Sequence, residues 1–389
     1  MSLFSQAELR APVERLAAIE RPSASPGEAD AAALIAAELR ELGAEARVEQ
    51  ESAHGGYWWP IGLLTGASAV AGALFGRPAA ALTGLLAAAT VTDDITGGSQ
   101  WFRRWLLPSR TTTNVVAEIG NADAGPTVLV VSHHDAAHSG LAFHPDIPRT
   151  IARRFPSYWA KQQTTPGTMW GAVGGPLVMA AGALLGLRHL RTVGTVLCGG
   201  YAAAMGDIGM RSVVPGANDN LTGVAVLLSL ARSLRDDPLP GVRVILLSTG
   251  SEEAFMEGMQ AFGRRHFPGL PTESTTVLCV DTVGSPNLLA LEGEGMVWMN
   301  EYPKDLLAVI QDAASQLGIY LFPNLRLRNA TDGLIALRAG YRTAALASVD
   351  DLKVPTNYHW PTDTPDNVDY STVADCARLC RRVLERLAA

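Results

Sequence analysis

Lysine is almost missing from this 389-residue chain: Lys161, Lys304 and Lys353 are the whole set, and arginine carries the remaining positive charge. Beside abundant Ala and Gly this matches GC-rich codon usage and carries no function. No excess of basic charge is present either. The net charge of −7 argues against a nucleic-acid partner. Cysteine is scarce, and Cys198, Cys279, Cys376 and Cys380 form no CxxC pair and no disulfide-like framework. They read as buried thiols in a reducing compartment. The opening residues, MSLFSQAELRAPVERL, lack a basic n-region and an apolar h-region, so no cleaved signal peptide is expected. There is no repeat, low-complexity tail or obvious linker, and the length allows one large domain or two ordinary ones.

What is present is an alternation of helix and strand signals. Residues 6–19 have a helical pattern. In Arg21-Pro22-Ser23-Ala24-Ser25-Pro26-Gly27-Glu28, Ser25 reads as an N-cap, Pro26 as the first helical residue and Glu28 as the reciprocal capping carboxylate. That helix is expected to reach Leu42 and stop at Gly43. Strands are expected over 44–50, 114–119, 127–132, 242–247, 276–283 and 343–348. Helices are expected over 220–234, 255–267, 303–317, 331–339 and 367–387. The alternation predicts an α/β fold: three layers, with a mixed, mostly parallel sheet covered by helices on both faces.

Two stretches break that pattern. Residues 60–76 and 78–92 are uncharged apolar runs, entered through Tyr57-Trp58-Trp59 and left through Trp101, Arg103, Arg104 and Trp105. Residues 169–187 and 192–205 form a second such pair around Arg188-His189-Leu190-Arg191. Each reads as an inserted apolar helical hairpin. The insertions would occupy 57–110 and 169–206, leaving 1–56, 111–168 and 207–389 as one catalytic domain. Aromatic and basic borders match a membrane interface, so a lipid bilayer is the expected partner and a multi-pass membrane protein the expected class. Arg103, Arg104, Arg110, Arg149, Arg153, Arg154 and Lys161 lie on the side of the catalytic domain, which places that domain in the cytoplasm. The runs are at or below the roughly 20 residues of a span. Buried hairpins or a homo-oligomer interface are the alternatives.

The chemistry centres on Ser248-Thr249-Gly250-Ser251-Glu252-Glu253, which follows the apolar strand over 242–247. Open α/β sheets place their sites at such strand ends. Adjacent carboxylates repel and raise one another's pKa, a conflict that a divalent cation relieves. One carboxylate would bind metal while its neighbour acts as general base. A solvated pair at a helix start is the bland alternative. Further acidic and imidazole groups stand at other strand ends: His133-His134-Asp135, Asp219 in PGANDN, Asp281, and His359 in NYHWPTDTPD. One imidazole of the adjacent His133-His134 pair with His359, and the carboxylates of Asp219, Glu253 and Asp281, suit two divalent ions, most plausibly zinc, with one bridging carboxylate.

In order, SHHD, PGANDNLTGVA, STGSEE, VDTVG and YHWPTDTPD resemble the family of co-catalytic zinc aminopeptidases that also contains glutaminyl cyclases and the transferrin-receptor ectodomain. The likeness covers about residues 10–56 and 111–389 and implies a zinc exopeptidase-like fold. It further implies that His133 and Asp281 hold one zinc, Glu253 and His359 the other, and that Asp219 bridges both. Glu252 would move the proton of the attacking water, and Asp135 would orient His133. His133 is preferred over His134 because side chains alternate in an extended stretch and Asp135 shares its side. His138 and His144 read as polar loop residues. Asp363 and Asp366 read as turn and cap residues, with Asp363 also a partner behind the ligands. Two departures stand out: about 80 residues separate SHHD from Asp219, and Ala254-Phe255-Met256-Glu257-Gly258 replaces a Gly-Leu-x-Gly pattern.

The expected activity is removal of N-terminal residues from peptides by a membrane-anchored metallopeptidase. A single-zinc glutaminyl-cyclase-like or amidohydrolase enzyme and a catalytically silent membrane scaffold are the alternatives. Zinc exopeptidases with a separate dimerisation domain fit less well, because their insertion is soluble and follows the Glu-Glu pair.

Overall fold

The computed structural model describes residues 4–121 and 125–388; residues 1–3, 122–124 and 389 lie outside the described residues. The chain begins with α1 (Gln6–Ala17), α2 (Pro26–Glu41), β1 (Glu45–Ala53), α3 (Trp58–Leu74), α4 (Arg77–Ile95) and α5 (Trp101–Leu106). It continues through β2 (Arg110–Gly120), β3 (Thr127–His133), α6 (Asp146–Arg154), α7 (Pro156–Lys161), α8 (Trp170–Leu185), α9 (Arg188–Met210) and α10 (Thr222–Asp236). Next come β4 (Arg243–Thr249), α11 (Glu257–His266), β5 (Thr275–Val280), β6 (Asn287–Ala290), β7 (Gly293–Glu294) and β8 (Asn300–Glu301). The chain closes with α12 (Lys304–Leu317), β9 (Arg326–Leu327), α13 (Asp332–Arg338), β10 (Arg342–Val349) and α14 (Tyr370–Ala388).

Successive side chains on a strand point to opposite faces, so a strand with aliphatic residues at both parities is buried on both sides. On β3 and β4 this is literal. Val128, Val130, Val244 and Leu246 join a core with α1, α2, α10, α12 and α14. Leu129, Val131, Ile245 and Leu247 join a second core with α3, α4, α9, α11 and α13. Between the two helical layers lies a seven-stranded sheet in the order β1-β2-β4-β3-β5-β10-β6. Its centre, β4-β3-β5-β10, is parallel, and β1, β2 and β6 add antiparallel edges. The four parallel strands therefore end at one edge, at Thr249, His133, Val280 and Val349. That is where open α/β sheets bind ligands.

The apolar stretches form α3, α4, α8 and α9, which pack on one another. Arginines at the two turns tie one pair to the other. Arg77 donates to the carbonyls of Ala183 and Leu184, both at 2.9 Å, at the end of α8. Arg191 donates to the carbonyls of Gly72 and Phe75 at the end of α3. Each thus satisfies the carbonyls that a helix C-terminus leaves free. Outward-facing apolar side chains such as Leu63, Leu74, Leu82, Leu185 and Val196 remain exposed.

The expected membrane crossing is overturned, and with it the multi-pass location and the cytoplasmic placing of the catalytic domain. Among the described residues no helix is long and apolar enough to cross a membrane. α3 and α8 have 17 and 16 residues. At about 1.5 Å per residue they reach about 26 and 24 Å, short of the ~30 Å of a bilayer core. α4 and α9 are longer but carry Arg77, Asp93 and Asp94, and Arg188, Arg191 and Asp207, respectively. Arg103, expected at a lipid border, is fully buried. Its Nε lies 2.8 Å from Asp94 Oδ1, its Nη2 donates to Asp94 Oδ2 at 2.9 Å, and its Nη1 donates to the carbonyl of Ala254.

Two local differences bear on the site. Ser25 caps α2 as expected, its hydroxyl accepting from Glu28 N. Glu28 instead turns inward, accepting from Ala24 N, Thr112 Oγ1, Thr113 N and Ser251 N. The helix expected from residue 255 begins at Glu257, because Phe255 and Met256 take left-handed φ values of 64° and 57°.

Candidate metal centre

His133 ends β3 and brings its Nε2 to within 3.2 Å of Asp219 Oδ1 and 3.8 Å of both Glu252 Oε2 and Asp281 Oδ2. His134, one residue on, projects elsewhere: its Nδ1 lies 2.9 Å from Ser248 Oγ, and burial pushes it down to about 4, which keeps it neutral. Asp135 lies 3.4 Å from His133 Nδ1. It also accepts from Glu252 N at 3.0 Å, Glu253 N at 3.2 Å and Ser23 Oγ at 2.7 Å. One carboxylate thereby joins the ends of β3 and β4. Burial opposes its charge, but the bonds from His133 and Ser23 outweigh that and hold it below its ordinary range.

Asp219 stands in the loop before α10. Its N–H and that of Asn218 both donate to Asp363, at 3.1 and 2.7 Å. On the other side Asn220 Nδ2 donates to the Val280 carbonyl at 3.0 Å and to Ser132 Oγ at 3.1 Å. The loop is thus pinned between the ends of β3 and β5. Its second carboxylate oxygen, Oδ2, lies 3.2 Å from His359 Nε2. His359 arrives from the loop after β10 and stacks on Tyr358 with ring centres 3.9 Å apart. Its Nε2 lies 3.1 Å from Glu253 Oε2.

Glu252, Glu253 and Asp281 are all raised above ordinary carboxylate values, by burial first and then by the neighbouring carboxylates, with Asp281 at about 8. Asp219 is held well below its range: burial opposes the charge, but His133 and His359 outweigh it. His359 is pushed up to about 10 by Glu253 and Asp219 against its own burial. A dication placed among these groups relieves that repulsion. His133, Asp219 and Glu253 offer ligand atoms within 4.8 Å of one another. Glu253 Oε1 and His359 Nδ1 are buried without a hydrogen-bond partner. Two imidazoles with hard carboxylates are a donor set that zinc accepts.

The seven positions singled out from the sequence therefore lie together. Outside them are Asp366, which pairs with Arg10 at the surface, and His138, whose Nδ1 lies 2.8 Å from the Arg211 carbonyl. His144 lines the adjoining cavity. Sequence reasoning missed Ser23, Glu28 and Asp332. Asp332 is buried, accepts from Thr249 Oγ1, and is raised by burial to about 7. In the sequence it sits in an ordinary helix-start signal, Thr331-Asp332, and nothing marks it as facing β4.

The cavity over the cluster measures about 490 Å³ and reaches Asp219, Glu252, Glu253 and Asp281. Phe143, Ile147, Ile151, Trp159, Leu352 and Tyr358 are among its walls. α6 and α7, which supply part of this wall, were not foreseen.

No curated protein matches the chain. Among solved structures, a Zn-dependent exopeptidase from Parabacteroides distasonis is similar at 14% identity and a TM-score of 0.57, with 98% of each chain covered. A glutaminyl cyclase from Bacteroides thetaiotaomicron is similar at 14% identity and TM-score 0.59, again with 98% of each covered. An aminopeptidase from Aneurinibacillus sp. is similar at 14% identity and TM-score 0.58, covering 98% of this chain and 94% of that one. At these identities the likeness is one of fold. A family model, Peptidase family M28, matches residues 189–384, which is half of the chain and includes Asp219, Glu252, Glu253, Asp281 and His359. The chain belongs to peptidase family M28 and is a zinc-dependent metallopeptidase.

Proposed function

We propose that the chain is an aminopeptidase with two zinc ions, one held by His133 and Asp281, the other by Glu253 and His359, with Asp219 shared between them. One observation carries this: the two oxygens of Asp219 are each addressed by a different imidazole at 3.2 Å. Asp281 stands beside the first imidazole and Glu253 beside the second. Zinc bound there would acidify a coordinated water and polarise the scissile carbonyl. Glu252 binds no ion in this scheme. Its raised affinity for a proton suits it to take one from the attacking water and return it to the leaving amine. Asp135 keeps His133 oriented and, through the N–H groups of Glu252 and Glu253, holds base and ligand in one frame. The cavity's aromatic and aliphatic walls suit a peptide with an apolar N-terminal residue, its amine toward the acidic floor.

The same proposal treats 57–110 and 169–206 as insertions into a catalytic unit of 1–56, 111–168 and 207–389, since every site residue lies outside them. Metal analysis of the purified protein, with aminoacyl chromogenic substrates, is the test. Two zinc ions per chain and release of N-terminal residues are expected. Glu252→Gln should keep the zinc and lose about 10²- to 10⁴-fold in kcat. One ion per chain, or full activity in Glu252→Gln, would refute the assignment.

A further inference from the structure

Arg21 stands between α1 and α2 and is 0% exposed, although nothing in its sequence setting marks it as functional. All its side-chain acceptors are backbone carbonyls. Nε donates to His134 at 2.7 Å, Nη1 to Pro215 at 2.7 Å and to Leu16 and Ile19 at 3.4 Å, and Nη2 to Gly216 at 2.7 Å. Its own carbonyl accepts from Ala136 N at 2.9 Å. The guanidinium therefore joins the segment that carries His133 and Asp135 to the loop that carries Asp219. Lysine could not reproduce this, because a planar fork addresses several carbonyls at once and an ammonium does not.

The Asp219 loop is gripped from both polarities. Its carbonyls at Pro215 and Gly216 end on Arg21, and its N–H groups at Asn218 and Asp219 end on the carboxylate of Asp363. The fit is close. Gly216 has φ +60°, and a Cβ there would lie 2.7 Å from both Arg21 Nη2 and the Asp219 carbonyl oxygen. The positive charge also acts on Asp363, Asp135, Asp219 and Glu253 without pairing into any one of them. It is a fixed cation behind a cluster whose open side faces the cavity.

We propose that Arg21 is a positioning residue that sets the separation of His133 from Asp219, and so governs how tightly the centre holds zinc. The inference rests on the metal-centre reading above. Removing a partner behind metal ligands weakens binding by roughly 10- to 100-fold. The experiment compares full-length wild type, Arg21→Lys and Arg21→Met with zinc chloride as ligand. Zinc affinity is read by competition with a chelating dye, cobalt substitution by its visible absorption, and folding by circular dichroism with thermal unfolding in EDTA and in zinc.

Arg21→Lys should keep the native spectrum, bind zinc about 10- to 100-fold more weakly, alter the cobalt absorption and show a correspondingly smaller zinc-induced rise in Tm. A merely structural residue would lower Tm equally with and without zinc. Wild-type affinity and an unchanged cobalt spectrum in Arg21→Lys would overturn the proposal. If the Arg21 variants do not fold, Gly216→Ala crowds the junction of the guanidinium with the Asp219 carbonyl oxygen: weakened zinc binding with an unaltered Tm in EDTA supports the proposal, and unchanged binding overturns it. Wild-type protein that binds no zinc would remove the metal-centre reading itself, an outcome distinct from variants that bind as well as wild type.

Discussion

Replacing Arg103 by Met separates a buried brace from a surface anchor. Arg103 is 0% exposed and Asp94 3%, and the two meet at 2.8 and 2.9 Å beneath the loop that follows Glu253. The guanidinium also lies 5.0 Å from the centre of the Phe255 ring. Met fills much of the same volume but leaves Asp94 as a buried carboxylate without its cation. Burial already lifts that carboxyl above its ordinary value, and Arg103 is the first group acting against the rise. Breaking one side of a buried pair costs about 3–5 kcal/mol, a large part of the roughly 5–15 kcal/mol that holds a domain folded. An exposed pair would cost about 0–1 kcal/mol. The assay is urea unfolding at pH 7, followed by far-UV circular dichroism. Arg103→Met combined with Asp94→Leu closes the cycle and should recover most of the loss, because neither charge is then buried. Arg103 also holds the carbonyl of Ala254, so folded, zinc-loaded Arg103→Met should lose kcat as well. A loss below about 1 kcal/mol would refute the reasoning.

Glu257 accepts from His54 and Gly55, and although burial opposes its charge, those bonds and Arg103 hold it below its ordinary value near 4.5. A depressed folded pKa stabilises above the unfolded value and is lost as pH falls through the folded one. Wild-type Tm should therefore drop below about pH 4.5 more steeply than that of Glu257→Gln, and parallel profiles would count against this. Gly258→Ala puts a Cβ 2.0 Å from the Gly250 carbonyl oxygen and 2.7 Å from Asn114 Oδ1. It should cost about 1–3 kcal/mol in urea unfolding and reduce kcat, since Gly250 leads into Glu252. Trp159→Ala opens the apolar wall, where Trp159 Nε1 donates to the Leu352 carbonyl at 3.2 Å. Zinc content should be unchanged while KM for leucyl and phenylalanyl substrates rises about tenfold, or ~1.4 kcal/mol; an unchanged KM would remove this wall from recognition.

Much of the layout is legible in the sequence. Strands such as Val128–Val131 with aliphatic residues at both parities can be stable only between two helical layers. Parallel strands then bring SHHD, STGSEE, VDTVG and YHWPTDTPD to one edge. Alternation also separated His133 from His134, which diverge in the structure as neighbours on a strand must. The closing pieces were harder to see. Glu28 looked like a capping carboxylate because its local spacing fits a cap, yet its partners Thr112, Thr113 and Ser251 are far along the chain. α6 and α7 have no buried residue, and the short apolar stripe of α6, Ile147 and Ile151, faces the cavity rather than a core.

The apolar runs mark the limit of sequence reasoning. Composition determined that residues 60–76, 78–92, 169–187 and 192–205 would be helical and apolar, because uncharged Ala- and Leu-rich runs have few other outcomes. Their surroundings depended on length and on contacts that lie far apart in sequence. Helices of 16 and 17 residues are too short for a bilayer core, and Arg77 and Arg191 found carbonyls on the opposite helix pair. The chemistry divides along the same line. Residue type and strand-end position determined which imidazoles and carboxylates were available for metal. Only the tertiary structure decided that Asp219 would face one imidazole with each oxygen, and that Arg21 and Asp363 would hold its loop from behind. Those geometries depend on loops meeting across the fold, where no short-range pattern reaches.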